Sequence, residues 1–431
     1  VLDDLSALVD QSLVQQRDDA EAETRFAMLE TLREYALEQL DASGERSHLE
    51  ARHAADMLAL AVIAEPHLFA ADRPWWLRRL SEEQDNCRAA LRWALGQDDP
   101  TLGLRLVGAL WMWFLRRLLV EGRQWAEDLL AHSGAVAPTA ARASALFAAG
   151  HFAWLQGDVR TMRERLEESV AIRRDLGDDA GLGRALPFLG LAIDDQEEAR
   201  RLADEGVRLC RTRGDRWGLA MALTNLGRIA ATWGDDAAAR PPLEEAVTLF
   251  RAIGDGWLLA LPLNSLGAIA YRHGDYLQAQ AAVEEALPCF RAVEDRRNTT
   301  QVLTNLAYVF LARGDLNRAK TLFAESLRFG QEHADRFNPP ACLRGIAAMA
   351  AAEGDLTRAV RLLAAAEALF AATGAARWPA ERLGGDTDTT SLRVSLGEAA
   401  SAAAWEAGRR LSLDVVTQEA IGATLDPGDQ Q

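Results

Sequence analysis

The sequence has few of the features that mark catalytic, metal-binding or membrane proteins. Its 431 residues include a single lysine, Lys320, in Arg-Ala-Lys-Thr. That lysine lacks the glycine frame of a G-x-x-x-x-G-K-[ST] phosphate loop, so no nucleotide cradle of that type is present. The four cysteines, Cys87, Cys210, Cys289 and Cys342, form no CxxC pair. A zinc knuckle or redox dithiol is thus unsupported, and reduced, semi-buried core cysteines are expected. Seven histidines (His48, His53, His67, His132, His151, His273 and His333) are scattered without an HExxH, and His48 and His53 are a poor helical ligand pair. They read as surface or core residues, and neither a metal nor a cofactor is expected. No G-x-S-x-G or G-x-G-x-x-G occurs. The carboxylate pairs Glu244-Glu245 and Glu284-Glu285 are adjacent, so on a helix they do not face each other as an acid and a base would. The best membrane candidate, Leu102 to Val120, is broken by Arg105, Arg116 and Arg117. Its clean core, Leu106 to Leu115, is about half of the roughly 20 residues a membrane span requires, which predicts a buried helix. With no secretory leader at the front, a cytoplasmic protein is expected.

What is present describes a folded chain: 49% hydrophobic and 26% charged residues with a net charge of −17. That negative charge repels phosphate backbones, so direct nucleic-acid binding by this segment is not expected. A chain of 431 residues exceeds one compact core and calls for several domains or an elongated array. Arginine in place of lysine, with abundant alanine, matches GC-rich bacterial coding. The chain starts at Val1 and runs straight into the amphipathic pattern Leu2, Leu5, Leu8, Val9, Leu13, as a piece of something longer would.

Self-similarity carries the fold. Gly-Asp recurs at Gly234-Asp235, Gly274-Asp275, Gly314-Asp315 and Gly354-Asp355, each step 40 residues. Asp194-Asp195 lies one step earlier, and Gly157-Asp158 lies 37 residues before that. Small residues move with the pair: Gly227, Gly267, Ala307 and Ala347 ahead of it, then Ala239, Ala279, Ala319 and Ala359, then Ala246, Ala286, Ser326 and Ala366. Gly150, Met162 and Ser169, then Gly190, Ala199 and Gly206, are looser versions. Small residues at these spacings let antiparallel helices approach closely. In each pair, glycine accepts the left-handed conformation that ends one helix and aspartate caps the next.

These residues resemble the tetratricopeptide repeat, with six units over 139–378 and the extra residues expected in the loop after each second helix, as at Gly254-Asp255-Gly256-Trp257 and Ala334-Asp335-Arg336-Phe337. Ahead of them, residues 1–45 read as a helix (Leu2 to Ser12), two short strands (Leu13 to Gln16 and Arg25 to Met28) around an acidic wing, and an amphipathic helix (Leu29 to Leu40), the remnant of a winged helix. Residues 46–138 read as helical hairpins leading into the repeats, and 390–425 as capping helices. The segments LDDLSALVDQSLVQQ and RFAMLETLREYALEQL, then Trp75 to Leu95, Leu110 to Leu130 and Ser395 to Val416, are similar to the region following the nucleotide-binding domain in STAND-class signalling ATPases, including AfsR-like and LuxR-type large regulators. The resemblance implies an ATP-driven switch whose nucleotide-binding domain lies upstream of Val1. The C-terminal helix-turn-helix of LuxR-type proteins is not supported within these residues, which end in the loop-like Asp426-Pro-Gly-Asp-Gln-Gln.

The expected fold is therefore all-α: a right-handed tetratricopeptide superhelix, or α-solenoid, behind a small winged-helix remnant. The first helices of the units should line its concave groove. There Asn225, Ser265 and Asn305 occupy equivalent positions suited to hydrogen-bonding a peptide backbone, and Arg228 and Arg272 could add charge recognition. The plainer reading is that these polar residues satisfy neighbouring helices. Trp217, Trp257 and Phe337, with Trp111, Trp113 and Phe114, could form a binding platform or simply fill the grooves between units. The expected function is a non-catalytic arm that binds a protein, a peptide or a small inducer in the groove. The alternative is a free-standing adaptor, and an enzyme is not expected.

Overall fold

The computed structural model describes residues 2–17, 25–293, 295–332, 335, 338–372, 383 and 389–422. The chain opens with α1 (Leu2–Asp10), the antiparallel strands β1 (Gln15–Arg17) and β2 (Arg25–Ala27), and α2 (Glu30–Ser43). Two strands form, the first starting at Gln15 and not at the expected Leu13, with Gln16 opposite Phe26, but no residue of α2 is buried. The predicted acidic wing falls largely outside the described residues. Four hairpin helices and a fifth follow: α3 (Arg46–His67), α4 (Arg73–Glu82), α5 (Gln84–Leu95), α6 (Thr101–Arg117) and α7 (Leu119–Ala131). The arginine-interrupted apolar stretch is α6, buried along its middle, and no helix among the described residues is long and apolar enough to cross a membrane.

Six helical pairs come next: α8 (Ala140–Leu155) with α9 (Val159–Leu176), α10 (Asp179–Gly190) with α11 (Gln196–Arg213), α12 (Arg216–Thr232) with α13 (Asp236–Ile253), α14 (Gly256–Arg272) with α15 (Tyr276–Arg291), α16 (Arg296–Ala312) with α17 (Leu316–Glu332), and α18 (Pro339–Ala352) with α19 (Leu356–Ala372). Each packs most extensively against its own partner, and successive first helices touch one another. The array is an α-solenoid closed by α20 (Thr389–Leu396), α21 (Glu398–Arg409) and α22 (Leu413–Gly422). Helix α21 lies tightly along α19: a Cβ on Gly408 would stand 2.2 Å from the Arg361 carbonyl oxygen. The loop-like tail after α22 lies outside the described residues.

The repeat residues act as their chemistry requires. Gly234, Gly274, Gly314 and Gly354 have φ of +77° to +87°, and the aspartate after each accepts a hydrogen bond from a backbone N–H in the first turn of the next helix, at 3.0 Å for Asp235 to Ala238. Each cap contributes about 1 kcal/mol. A Cβ on Gly227 would lie 2.5 Å from Leu243 and one on Gly267 2.7 Å from Val283, so these glycines set the interhelical approach. Ala239, Ala279, Ala319 and Ala359 are fully buried where the second helices press back.

One expectation is corrected. At Gly254-Asp255-Gly256-Trp257 the extra residues of the 40-residue unit do not form a loop; they lengthen the helices, while the second predicted loop, Ala334-Asp335-Arg336-Phe337, lies largely outside the described residues. Between α13 and α14 only Gly254 and Asp255 intervene, and Trp257 is already inside α14. The sharp turn is possible because it uses the same device as the turn within the unit. Gly254 is left-handed at φ 76°, and the Asp255 carboxylate caps Leu258 N–H at 3.2 Å. Asp178, Asp215 and Asp295 repeat that cap at the turns before α10, α12 and α16.

Candidate functional site

The first helices are buried on nearly all sides, while the second helices turn charged faces to solvent, so a ligand reaching the inner face meets α6, α8, α10, α12, α14 and α16. Sequence position explains this: α14 runs Trp257 to Tyr271 without a charged residue, whereas α15 carries Glu284 and Glu285.

Residues far apart in sequence meet across this face. Arg73 Nη1 donates to Asp255 Oδ2 at 2.6 Å, and Arg116 Nη2 reaches the same oxygen at 3.4 Å. Asp255 is completely buried and also caps α14. Two guanidiniums and the positive end of a helix thus converge on one buried carboxylate, each complementary to its charge. Arg116 lies over the Trp257 ring, 4.1 Å from its centroid. Burial pulls its pKa down to about 10 while Asp255 opposes the shift, so it stays a cation at neutral pH. Trp257 Nε1 donates to Asp295 at 2.7 Å. Arg297 donates to the carbonyl oxygens of Trp154 and Leu155, both at 3.1 Å, placing a cation on the negative end of α8. The hairpins and first unit are thereby clamped to the fourth and fifth units.

Inside the clamp is a small, partly open cavity walled chiefly by Trp111, His151, Trp154, Phe188, Trp217 and Trp257. His151 sits at its wall with ring centroids 3.8 Å from Phe188 and 4.9 Å from Trp111. Its Nδ1 is 2.9 Å from the Phe147 carbonyl oxygen. A carbonyl only accepts, so Nδ1 carries the proton and Nε2 presents a lone pair. Burial lowers this histidine to about 4, and it is neutral at physiological pH. Nε2 of His151 and the N–H of Trp217 are both buried without a hydrogen-bond partner.

Next to this ring tier the same helices carry amides. Asn225, one turn beyond Met221 of the cavity wall, is 1% exposed, and neither its Oδ1 nor its Nδ2 has a partner. Asn305 is equally buried but engaged: its Nδ2 donates to Asn264 Oδ1 at 2.9 Å, and its Oδ1 accepts from Leu383 N–H at 3.1 Å. Ser265 donates to its own helix, to the Leu261 carbonyl at 3.2 Å. Arg228 lies over the Trp154 ring at 5.2 Å, near the cavity. Arg272 forms a salt bridge with Asp236 of the preceding unit, its Nε 3.0 Å from Oδ2, so that residue ties two units together at the far end of α14. Of the five positions picked from sequence, the structure groups Asn225 and Arg228 close to the ring cavity and sets Asn305 in an amide row whose other member, Asn264, escaped notice. The forty-residue register had aligned Asn305 with Ser265, and Asn264 is one residue off it. His151, dismissed as one of seven scattered histidines, lies at the wall; only its place in the run Phe147 to Trp154 hinted at it. Of the aromatic residues, Trp111, Trp113, Phe114 and Trp217 are core, and Phe337 lies outside the described residues. Among the described residues no group of three or more His, Cys, Asp or Glu side chains is arranged to hold a metal ion.

Comparison with known proteins agrees with this architecture. Residues 258–332 match the tetratricopeptide repeat, and residues 1–41 match the winged helix-turn-helix domain. Over 250 residues the chain is 36% identical to the "Putative HTH-type transcriptional regulator Rv0890c" of Mycobacterium tuberculosis, covering 56% of this chain and 28% of that one. The same identity and coverage hold for "Putative HTH-type transcriptional regulator Mb0914c" of Mycobacterium bovis. The aligned part of this chain thus spans little more than a quarter of the length of these relatives. Among solved structures, a Rap protein complexed with Competence and Sporulation Factor is similar with a TM-score of 0.56 at 12% identity, over 88% of this chain and 100% of that one, which supports the solenoid fold. The chain is a helical solenoid that matches the tetratricopeptide repeat over residues 258–332 and the winged helix-turn-helix domain over residues 1–41.

Proposed function

We propose that this chain is the ligand-binding sensor arm of a larger bacterial regulator, reading a protein, a peptide or a small inducer on its concave face and passing the event to a nucleotide-binding domain upstream. The observation that carries the reading is Asn225: a primary amide, 1% exposed, with neither polar atom matched inside the protein. Leaving such a group unpaired costs on the order of 1–3 kcal/mol, a cost that a binding site bears and a purely structural groove does not need. The clamp formed by Arg73, Arg116 and Asp255 supplies a way to transmit the event, because it ties the hairpins beyond the winged segment to the fourth unit. On this reading the chain is cytoplasmic and performs no catalysis itself. Its test is retention of compounds or peptides from a cell extract by immobilised protein, identified by mass spectrometry, beside an Asn225→Leu variant. Species held by the parent and lost by the variant support the arm as a sensor. Identical retention by both, or retention of nothing, counts against it.

A further inference from the structure

One main-chain N–H from outside the repeats reaches into them. Leu383 lies in sequence between α19 and α20, yet its N–H donates to Asn305 Oδ1 on α16 at 3.1 Å, 78 residues away. Asn305 Nδ2 donates in turn to Asn264 Oδ1 on α14 at 2.9 Å, which fixes its own oxygen toward Leu383. The Leu383 side chain is 4% exposed and packs into the core cluster of the later units. The contact uses nothing peculiar to this chain: a main-chain N–H, which nearly every peptide carries, and one leucine side chain. Gly384 and Gly385 follow with no side chain to anchor. Residues 373–388 separate α19 from α20, where about 2–8 residues usually join packed helices, and long connections are where binding segments concentrate. Two repeats earlier Asn225 stands at the position equivalent to Asn305, and there both amide atoms are unmatched among the described residues. The same side chain is engaged by a main-chain N–H where Leu383 reaches it and left open two repeats away.

We propose that Asn264 and Asn305 form a subsite for a peptide segment with a leucine-like side chain, and that Leu383 of the chain itself is its resident occupant, in competition with any such segment supplied from outside. This rests on the reading of the concave face as a binding surface and deepens it, by naming the ligand class and a built-in competitor. A tethered occupant acts at a local concentration in the millimolar range, so an outside peptide binds the intact chain far more weakly than it binds the vacated subsite. Specificity has two parts. Asn305 Oδ1 accepts from a main-chain N–H, so a proline in place of the leucine cannot serve. The side chain enters an apolar cluster, so an aspartate there is penalised.

The probe is a labelled synthetic peptide of residues 378–388 (Trp-Pro-Ala-Glu-Arg-Leu-Gly-Gly-Asp-Thr-Asp), followed by fluorescence anisotropy against the purified chain. Leu383→Asp is expected to vacate the subsite and to bind the peptide at least about tenfold tighter than the parent does. Adding Asn305→Leu removes that binding, and so does a proline or an aspartate in place of the peptide's leucine. Circular dichroism and a thermal melt check that Leu383→Asp folds; if it does not, Leu383→Ala takes its place. Equal binding by parent and variant, no binding by the folded variant, or binding indifferent to Asn305 overturns the proposal. Failure of both variants to fold overturns it as well, because Leu383 is then part of the structure and not a displaceable occupant. Hydrogen exchange on the parent is a separate check: the Leu383 N–H is expected to be protected, and exchange at the rate of an unfolded chain shows the subsite open and sinks the idea. The extract experiment reads Asn225 and this one reads Asn305, so either reading can fail alone.

Discussion

Two buried polar clusters on the first helices are built on one repeat yet treat their polar atoms in opposite ways. Around α6 to α14 the face is rings, and the polar atoms among them, His151 Nε2, Trp217 Nε1 and the Asn225 amide, have no partners. Around Thr304 and Asn305 of α16 the buried polar atoms are matched, although, among the described residues, Asn338 Oδ1, Arg358 Nε and Nη2 and Arg361 Nε further along are not. Thr304 Oγ1 lies 2.8 Å from Ser326 Oγ and 3.0 Å from Cys342 Sγ, Ser326 also donates to the Thr300 carbonyl, and Asn305 bonds Asn264 and Leu383. Matched buried polar atoms stabilise a fold; unmatched ones cost stability and leave capacity for something to bind. The contrast is between two clusters, an unmatched one around His151, Trp217 and Asn225 and a matched one around Thr304 and Asn305.

The largest effect that would break this contrast lies at the clamp. Asp255→Asn keeps an N-capping side chain but removes the carboxylate that pairs with both Arg73 and Arg116, both nearly buried. A loss of about 3–5 kcal/mol in denaturant unfolding is expected. The same change at Asp215, the equivalent cap, whose partner Arg184 is 29% exposed, should cost under about 1 kcal/mol. Similar losses at both sites would mean that the cap dominates and the clamp contributes little.

The next effect is pH dependence. His151 is held near 4 by burial, below the ordinary value of 6.5. The unfolded chain therefore binds a proton that the folded chain refuses between those values. Stability from this group is complete above pH 6.5 and falls as pH drops towards 4, by about 3 kcal/mol in total. In His151→Phe this component vanishes, and the difference between the two pH profiles isolates it from the carboxylates. Parallel profiles would show that His151 is not a buried neutral base.

The amides give a smaller and more discriminating test. Asn305→Leu strands the Asn264 oxygen and the Leu383 N–H and should cost about 1–3 kcal/mol. Asn225→Leu strands nothing and should leave stability within about 0.5 kcal/mol, or raise it, while altering ligand retention. Equal losses at the two asparagines would place both in the same structural role.

How much of this was legible follows from the range of the interactions. The repeat was readable because its signals are local: Gly234 and Asp235 act within one turn, and Gly227 meets Leu243 only sixteen positions away. The turn at Gly254 and Asp255 obeyed the same rule, yet the unit's length relative to shorter repeats suggested a loop; the glycine–aspartate pair was the better guide. The clamp was not readable. Arg73 and Asp255 are 182 residues apart, and their pairing depends on the accumulated curvature of several units, which no local pattern encodes. The amide row was half visible, through Asn225 and Asn305, because strict register cannot show that Asn264, one position off, points to the next unit.

The smallest expected effect concerns the outer surface, where the two regions should not differ at all. Arg211 pairs with Glu245, Arg251 with Glu285 and Arg291 with Glu325, each joining one second helix to the next with N–O distances of 2.6 to 2.7 Å. The pairs repeat with the unit, so they look like a continuous staple along the solenoid. Both partners are about half exposed in every case, where water and salt screen the attraction and ordering two long side chains offsets it. A double-mutant cycle with Arg251→Ala and Glu285→Ala should therefore give a coupling of no more than about 0.5 kcal/mol, fading further at high salt. The cycle at Arg211 and Glu245 should match it. A coupling well above that value, or one larger beside the ring-lined cluster than beyond it, would mean that the outer ladder helps set the curvature on which the clamp depends, and the contrast between the two clusters would have to include the convex face.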